Sequence, residues 1–207
     1  MKSVNSRRTC VTPSCKNIFR EQYKKEKKMD HKTSRRAPNI LITGTPGVGK
    51  SEMAKLLAER TSFTWLDVSK LAQEHKCLDG YDEEYQCPVL DDDKLLDLME
   101  PMMSNGGKIV DYHGSDFFPE RWFDIVFVLR TNNTILYDRL VARGYSGKKL
   151  RDNIDCEIFQ TILDETKESY KKEIVHELQS NEPEETIENV NRICQWIQQW
   201  TLDNQNT

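Results

Sequence analysis

Nowhere in this sequence of 207 residues does an uninterrupted apolar run approach the ~18 residues of a membrane span. The first residues also lack the apolar stretch of a secretory signal, so the sequence predicts a soluble chain that is not secreted. The six cysteines (Cys10, Cys15, Cys77, Cys87, Cys156 and Cys194) are scattered and form no C-x-x-C pair. That supports neither a zinc ribbon nor a thioredoxin-like motif and leaves reduced thiols as the expectation. Hydrophobic residues are only 37% of the chain against 31% charged, which requires a solvated tail or an exposed helical surface. The length suits one compact α/β domain with small excursions rather than two domains.

The net charge of −4 conceals an asymmetry. Residues 1–37 hold twelve Lys and Arg against three acids, while the remaining 170 hold 18 against 31. A basic, solvated arm therefore precedes an acidic body. Lys24–Lys28 and the pairs Arg7-Arg8 and Arg35-Arg36 carry the arm's charge, and no apolar period gives it anything to bury. It reads as a floppy tail, as a nuclear-import or RNA-binding arm, or as a mitochondrial presequence.

The pattern changes at Pro38. Residues 38–43 form a short apolar run entering a glycine-rich turn, the signature of a buried strand. Helical spacing follows at Met53, Leu56 and Leu57 within 50–60, then a strand candidate at Phe63–Val68. Leu95, Leu98, Met99 and Met102 make a helical stripe interrupted by Pro101 and closed by Asn105-Gly106-Gly107. Lys108–Tyr112 and Ile125–Arg130 have the length of buried strands. Helices are expected near 132–142 and 153–171, a last strand at Glu173–Gln179, and a closing amphipathic helix over 184–200 on Ile187, Val190, Ile193, Cys194 and Ile197. Alternation of this kind implies a parallel sheet covered on both faces.

Gly44-Thr45-Pro46-Gly47-Val48-Gly49-Lys50-Ser51 matches G-x-x-x-x-G-K-[ST] throughout. A loop that wraps a triphosphate turns its backbone N–H groups inward, in conformations that side chains with a Cβ resist. Lys50 brings positive charge to the β- and γ-phosphates, and Ser51 offers a hydroxyl to Mg²⁺ at a helix start that favours anions. The strand before and the helix after supply the required context. Lys108–Asp111 adds an apolar strand ending in an aspartate, the place where such enzymes hold Mg²⁺, commonly through water. His113 lies two residues on, where an imidazole positions water or relays a proton. The guanine-reading N-K-x-D is absent, which points to ATP with Mg²⁺ rather than to a regulatory GTPase.

Four blocks together resemble one family: GTPGVGKS (44–51), DGYDEEYQCPVLDDD (79–93), VDYHGSDFFPERWFDIVFVLR (110–130) and ARGYSGKKLRDNIDCEIFQ (142–160). They are similar to adenylate kinase isoenzyme six, a family also described as the coilin-interacting nuclear ATPase. The resemblance runs from about Pro38 to the C-terminus. It implies an α/β P-loop NTPase fold, adenylate-kinase-like: a five-stranded parallel sheet with helices on both faces, an insertion that binds the nucleoside monophosphate at about 67–90, and a short lid at about 142–152. It implies adenylate kinase and ATPase activities with ATP and AMP as ligands. It further implies a role in small-ribosomal-subunit maturation through a ribosomal protein of that subunit, coilin as another partner, and residence in nucleus and cytoplasm. Carried over by motif, Gly47, Gly49, Lys50, Ser51 and Glu52 line the phosphates, Asp111 and His113 are the family's D-x-H, and Arg143 contacts ATP. Arg139, one helical turn earlier, shares that face and is placed to stack on adenine or to join a surface ion pair.

Two departures stand out. Relatives carry an arginine in L-A-R-E, whereas this chain reads Leu71-Ala72-Gln73-Glu74, losing a charge-assisted contact worth about 1.5–3 kcal/mol. Glu52 stands where many relatives have Thr. The lid cations are few (Arg143, Lys148, Lys149 and Arg151), which suggests modest transfer and room for hydrolysis. The acids from Asp79 to Asp93 read either as a solvated surface with helix-capping charge or as a docking face for a basic partner. Three functions follow: a nucleoside-monophosphate kinase, an ATP-driven assembly factor, and a non-catalytic ATP-binding module, the last disfavoured by the intact cradle and carboxylate.

Overall fold

The computed structural model describes residues 35–84 and 87–205. The expectations for residues upstream of Arg35 lie outside these, as do Cys10 and Cys15. In chain order the elements are β1 (Ile40–Thr43), α1 (Lys50–Thr61), β2 (Thr64–Asp67), α2 (Val68–Glu74), β3 (Leu78–Asp82), β4 (Cys87–Leu90), α3 (Asp92–Met103), β5 (Lys108–Asp111), β6 (Ile125–Arg130), α4 (Asn133–Ala142), α5 (Gly147–Ile158), α6 (Thr161–Ser169), β7 (Val175–Gln179) and α7 (Pro183–Gln205). Single 3₁₀ turns precede β6 and β7.

Five strands form one sheet in the order β2-β5-β1-β6-β7, every neighbouring pair parallel. β1 is fully buried along its length, as a central strand with both faces covered must be. Ile40, Ile42, Ile109, Ile125, Phe127 and Leu129 point to one face and pack with Met53 and Leu57 of α1, Leu136 and Leu140 of α4, and Val190, Ile193 and Ile197 of α7. The alternate residues Leu41, Val110, Val126 and Val128 are equally buried on the other face. Because β1 pairs with β5 on one side and β6 on the other, chain direction diverges there. A crevice opens at the strands' carboxyl ends, where ligands bind in such sheets.

Several local expectations are corrected. The strand expected to run to Val68 stops at Asp67, whose side chain accepts from the Lys70 N–H at 3.1 Å and caps α2. Helix α3 runs through Pro101, which sits in its last turn where one lost backbone bond is tolerated. Its buried line is Leu95, Leu96, Met99 and Met103 rather than the stripe through Leu98 and Met102. The single helix expected over 153–171 is two, α5 and α6, broken at Gln160, which adopts φ 59. In α7, Ile187 is half exposed and the buried positions of that turn are Thr186 and Asn189. Residues 67–90 contain α2 and a separate antiparallel hairpin, β3–β4.

The arm expected to end at residue 37 gives up its last turn to the domain. Arg35 donates from Nη2 to both carboxylate oxygens of Asp124 at 3.0 Å, and from Nη1 to the carbonyls of Arg121 and Trp122. Asp124 also accepts from the Asn39 N–H at 2.8 Å, so the guanidinium fixes the entry into β1. This mostly buried ion pair, one guanidinium nitrogen set between two carboxylate oxygens, ties Arg35 to the domain.

Candidate active site

The loop between β1 and α1 is made possible by backbone conformations closed to other residues. Gly44 has φ 137, and a Cβ there would lie 2.5 Å from the carbonyl oxygen of Leu129 in β6. Gly47 has φ 100, and a Cβ would meet Leu136 and Leu140 of α4 at about 3 Å. The loop is thus pressed between β6 and α4, and Gly49 in left-handed geometry launches α1.

Lys50, first residue of α1, donates from Nζ to the carbonyl of Gly44 at 2.8 Å and that of Thr45 at 3.1 Å. Its ammonium therefore hangs over the loop's own mouth. Desolvation lowers its pKa from 10.5 to about 8; the Arg143 charge adds to this, while Asp111 and Glu157 counteract it. The group remains mostly cationic at pH 7.

Asp111 ends β5 in register with Asp67, which ends β2. It is buried, and its Oδ2 has no hydrogen-bonding partner; the same is true of the Trp65 indole Nε1. Desolvation raises its pKa, with Asp67 adding to the rise while Ser51, Lys50 and Trp65 oppose it. A buried carboxylate oxygen without a partner is costly unless something positive completes it. The hydroxyl of exposed Ser51, the second residue of α1, supplies a second hard oxygen beside Asp111. Mg²⁺ fits these donors, because it keeps most of its shell as water and phosphate oxygens and needs only one or two protein oxygens.

His113 lies beyond Asp111, its carbonyl accepting from the Thr43 hydroxyl at 3.0 Å and its ring against Tyr112. Desolvation first, and then the Lys50 charge, lower its pKa. The residue is exposed, so water limits the shift; the direction leaves a neutral imidazole at pH 7.

Arg143 caps the end of α4 and is exposed, near enough to Lys50 to act on its charge. Arg139 gives its guanidinium to two carbonyls of the β7–α7 loop, Ser180 at 2.9 Å and Asn181. Glu52 is exposed in the first turn of α1, and Gln73 is exposed on α2. Across the cleft, Lys148 of α5 pairs with Glu84 at the turn of the hairpin. The structure thus gathers Lys50, Asp111, His113 and Arg143 around one mouth and leaves Glu52 at its rim.

Sequence reasoning missed a polar knot behind the loop. Glu157 of α5 is buried and accepts from the Thr45 hydroxyl, from Arg130 Nε at 2.6 Å and from the Thr131 N–H at 3.1 Å. The available signal was Arg130, a charge closing an otherwise apolar strand, which demands a buried partner.

The sheet, the loop and its facing carboxylate define a P-loop nucleotide-binding fold. A family model described as an AAA domain matches residues 40–160, from β1 to the end of α5. Among solved structures, shikimate kinase from Acinetobacter baumannii superposes with a TM-score of 0.56 at 14% identity, covering 79% of this chain and 94% of that one. Shikimate kinase from Aquifex aeolicus gives 0.51 at 14%, over 79% and 98%. At that identity the likeness speaks for the fold alone. Sequence relatives are more specific. The Drosophila melanogaster protein called adenylate kinase isoenzyme 6 homolog is 52% identical over 163 residues, 79% of this chain and 93% of its own length. The Dictyostelium discoideum homolog is 51% identical over 166 residues, 80% and 95%. The chain belongs to the adenylate kinase isoenzyme 6 family.

Proposed function

We propose that this protein transfers the terminal phosphoryl group of ATP to AMP, giving two ADP, with water as a competing acceptor. The observation that carries this reading is the placing, at one loop mouth, of the Lys50 ammonium within electrostatic reach of the buried Asp111 carboxylate, whose Oδ2 accepts no hydrogen bond. Ser51 and Asp111 would hold Mg²⁺, which would supply neutralising charge to the ATP phosphates. Lys50 and Arg143 stabilise charge on the group in flight as its bond to the ADP oxygen breaks and that to the acceptor oxygen forms. AMP brings an already ionised phosphate oxygen, so transfer requires no general base. The insertion over 67–90 and the lid over 142–152 are the walls that close on the two nucleotides.

A second reading has a specific observation in its favour. His113, neutral and open to the cleft beside Lys50, suits a residue that orients an attacking water. In that reading the protein is an ATP-hydrolysing assembly factor for the small ribosomal subunit, acting in nucleus and cytoplasm. The exposed acids Asp79, Glu83 and Glu84 are a face for a basic ribosomal protein, with coilin as a further partner. Purified protein incubated with labelled ATP and Mg²⁺, with and without AMP, separates the two. Two ADP per ATP consumed, dependent on AMP, is the expected result; phosphate release indifferent to AMP would move the conclusion to hydrolysis. Lys50→Ala should lower either rate by ~10²–10³ or more, and an unchanged rate would remove the loop from the mechanism.

A further inference from the structure

Helix α5 is held in opposite ways at its two ends. At its start, Gly144 and Gly147 have φ 81 and 56 with open space where a side chain would stand, and the helix is held there by side chains alone: Lys148 on Glu84, Lys149 on the Tyr145 ring, and Leu150 against the core. Near its last turn, Glu157 is 2% exposed and its side chain is fully engaged. Arg130 donates to its carboxylate from Nε at 2.6 Å and to its carbonyl from Nη2 at 2.9 Å, and the Thr131 N–H adds a bond at 3.1 Å. The remaining oxygen, Oε2, accepts from the hydroxyl of Thr45, which lies 112 residues earlier in the chain and inside the phosphate loop. Thr45 in turn offers its carbonyl to Lys50 Nζ at 3.1 Å. The helix is therefore joined to the ammonium by two consecutive bonds through one loop residue.

A buried ionic tie between a helix and a sheet is an expensive way to gain stability, because apolar packing does the same without desolvating charge. What the tie supplies here is geometry. Arg130 and Thr131 fix the carboxylate to the end of β6, and the carboxylate fixes Thr45. From Glu157 back to Lys148 the helix rises about 14 Å, so a ~10° rotation about the fixed end carries Lys148 some 2–3 Å. Small errors at one end become large errors in where the lid's cations descend.

We propose that Glu157 is a positioning residue: it pins α5 to the phosphate loop through Thr45, and so sets the placement of the lid over the phosphates. This rests on the phosphoryl-transfer reading above. The pin acts on the assembled transition-state geometry more than on ATP capture, which the loop amides and Lys50 supply.

The test is a set of variants assayed by steady-state kinetics with ATP, AMP and Mg²⁺, each checked by thermal melting. Thr45→Val removes the hydroxyl and keeps the shape; Thr45→Ser keeps the hydroxyl; Glu157→Gln keeps the shape and removes the charge. Thr45→Val and Glu157→Gln should each lower kcat on the order of 10–10²-fold with KM for ATP changed only a few-fold. Thr45→Ser should restore kcat, and the double variant Thr45→Val/Glu157→Gln should be no slower than Glu157→Gln alone. Losses in kcat that multiply in the double variant, or a Thr45→Val protein with unchanged kcat, would overturn the pin. If Glu157→Gln does not fold, the Thr45 pair still decides, since Arg130 keeps its partner in both. Failure of the functional reading looks different: wild-type protein would then form no ADP beyond the one that accompanies each phosphate released.

Discussion

Binding of Mg·ATP at pH 8.5 should draw a proton from solution, because Lys50 enters the complex partly deprotonated. In the free protein its pKa is about 8, lowered chiefly by desolvation in the loop. At pH 8.5 such a group is roughly one quarter protonated. A triphosphate placed against the ammonium drives its pKa back above the working pH, so complex formation takes up about three quarters of a proton. A free pKa half a unit lower or higher brackets the uptake between about 0.9 and 0.5 proton. The assay is titration calorimetry in two buffers of equal pH and different ionisation enthalpy, whose heat difference gives the proton count. Lys50→Arg, which cannot lose its proton in this range, should bind with no uptake. Zero uptake by the wild-type protein, or equal uptake by Lys50→Arg, refutes the reasoning. The same shift has a stability sign. A lysine whose folded pKa lies below 10.5 costs stability in full below about pH 8, and the cost fades as pH rises toward the unfolded value.

Three further outcomes are expected. His113→Ala should lower phosphate release more than ADP formation from AMP, both resolved chromatographically in one reaction; equal losses would remove the water-orienting role. Gln73→Arg should tighten AMP on the order of tenfold, as one charge-assisted contact implies, and an unchanged AMP titration would show that position 73 does not face the phosphate. Arg35→Ala should destabilise the fold by about 1–3 kcal/mol in urea titration, because it leaves Asp124 without its bidentate partner. An unaltered midpoint would place Arg35 outside the folded unit.

Legibility in the sequence followed locality. β6 was readable to the residue, since Ile125–Arg130 is an unbroken apolar run closed by a charge. The phosphate loop was readable because its three glycines and Lys50 lie within eight positions and each has a separate physical task. The hairpin β3–β4 was not, since Leu78–Asp82 is mostly acidic and polar, so no alternation marks it. The break between α5 and α6 also escaped, because Gln160 takes a left-handed conformation without the Gly or Asn that usually announces one. Glu157 was out of reach for a different reason. Its partners come from β6 and from a loop 112 residues away, and no local pattern encodes that meeting.

The order of strands also bears on how the chain comes off the ribosome. β1 is made early but hydrogen-bonds only to β5 and β6, so its partners do not exist until some seventy to ninety further residues have been translated. The face of α1 that α7 covers stays bare until Val190, Ile193 and Ile197 have been made. Nascent chains must therefore carry a greasy, half-built sheet through much of their synthesis.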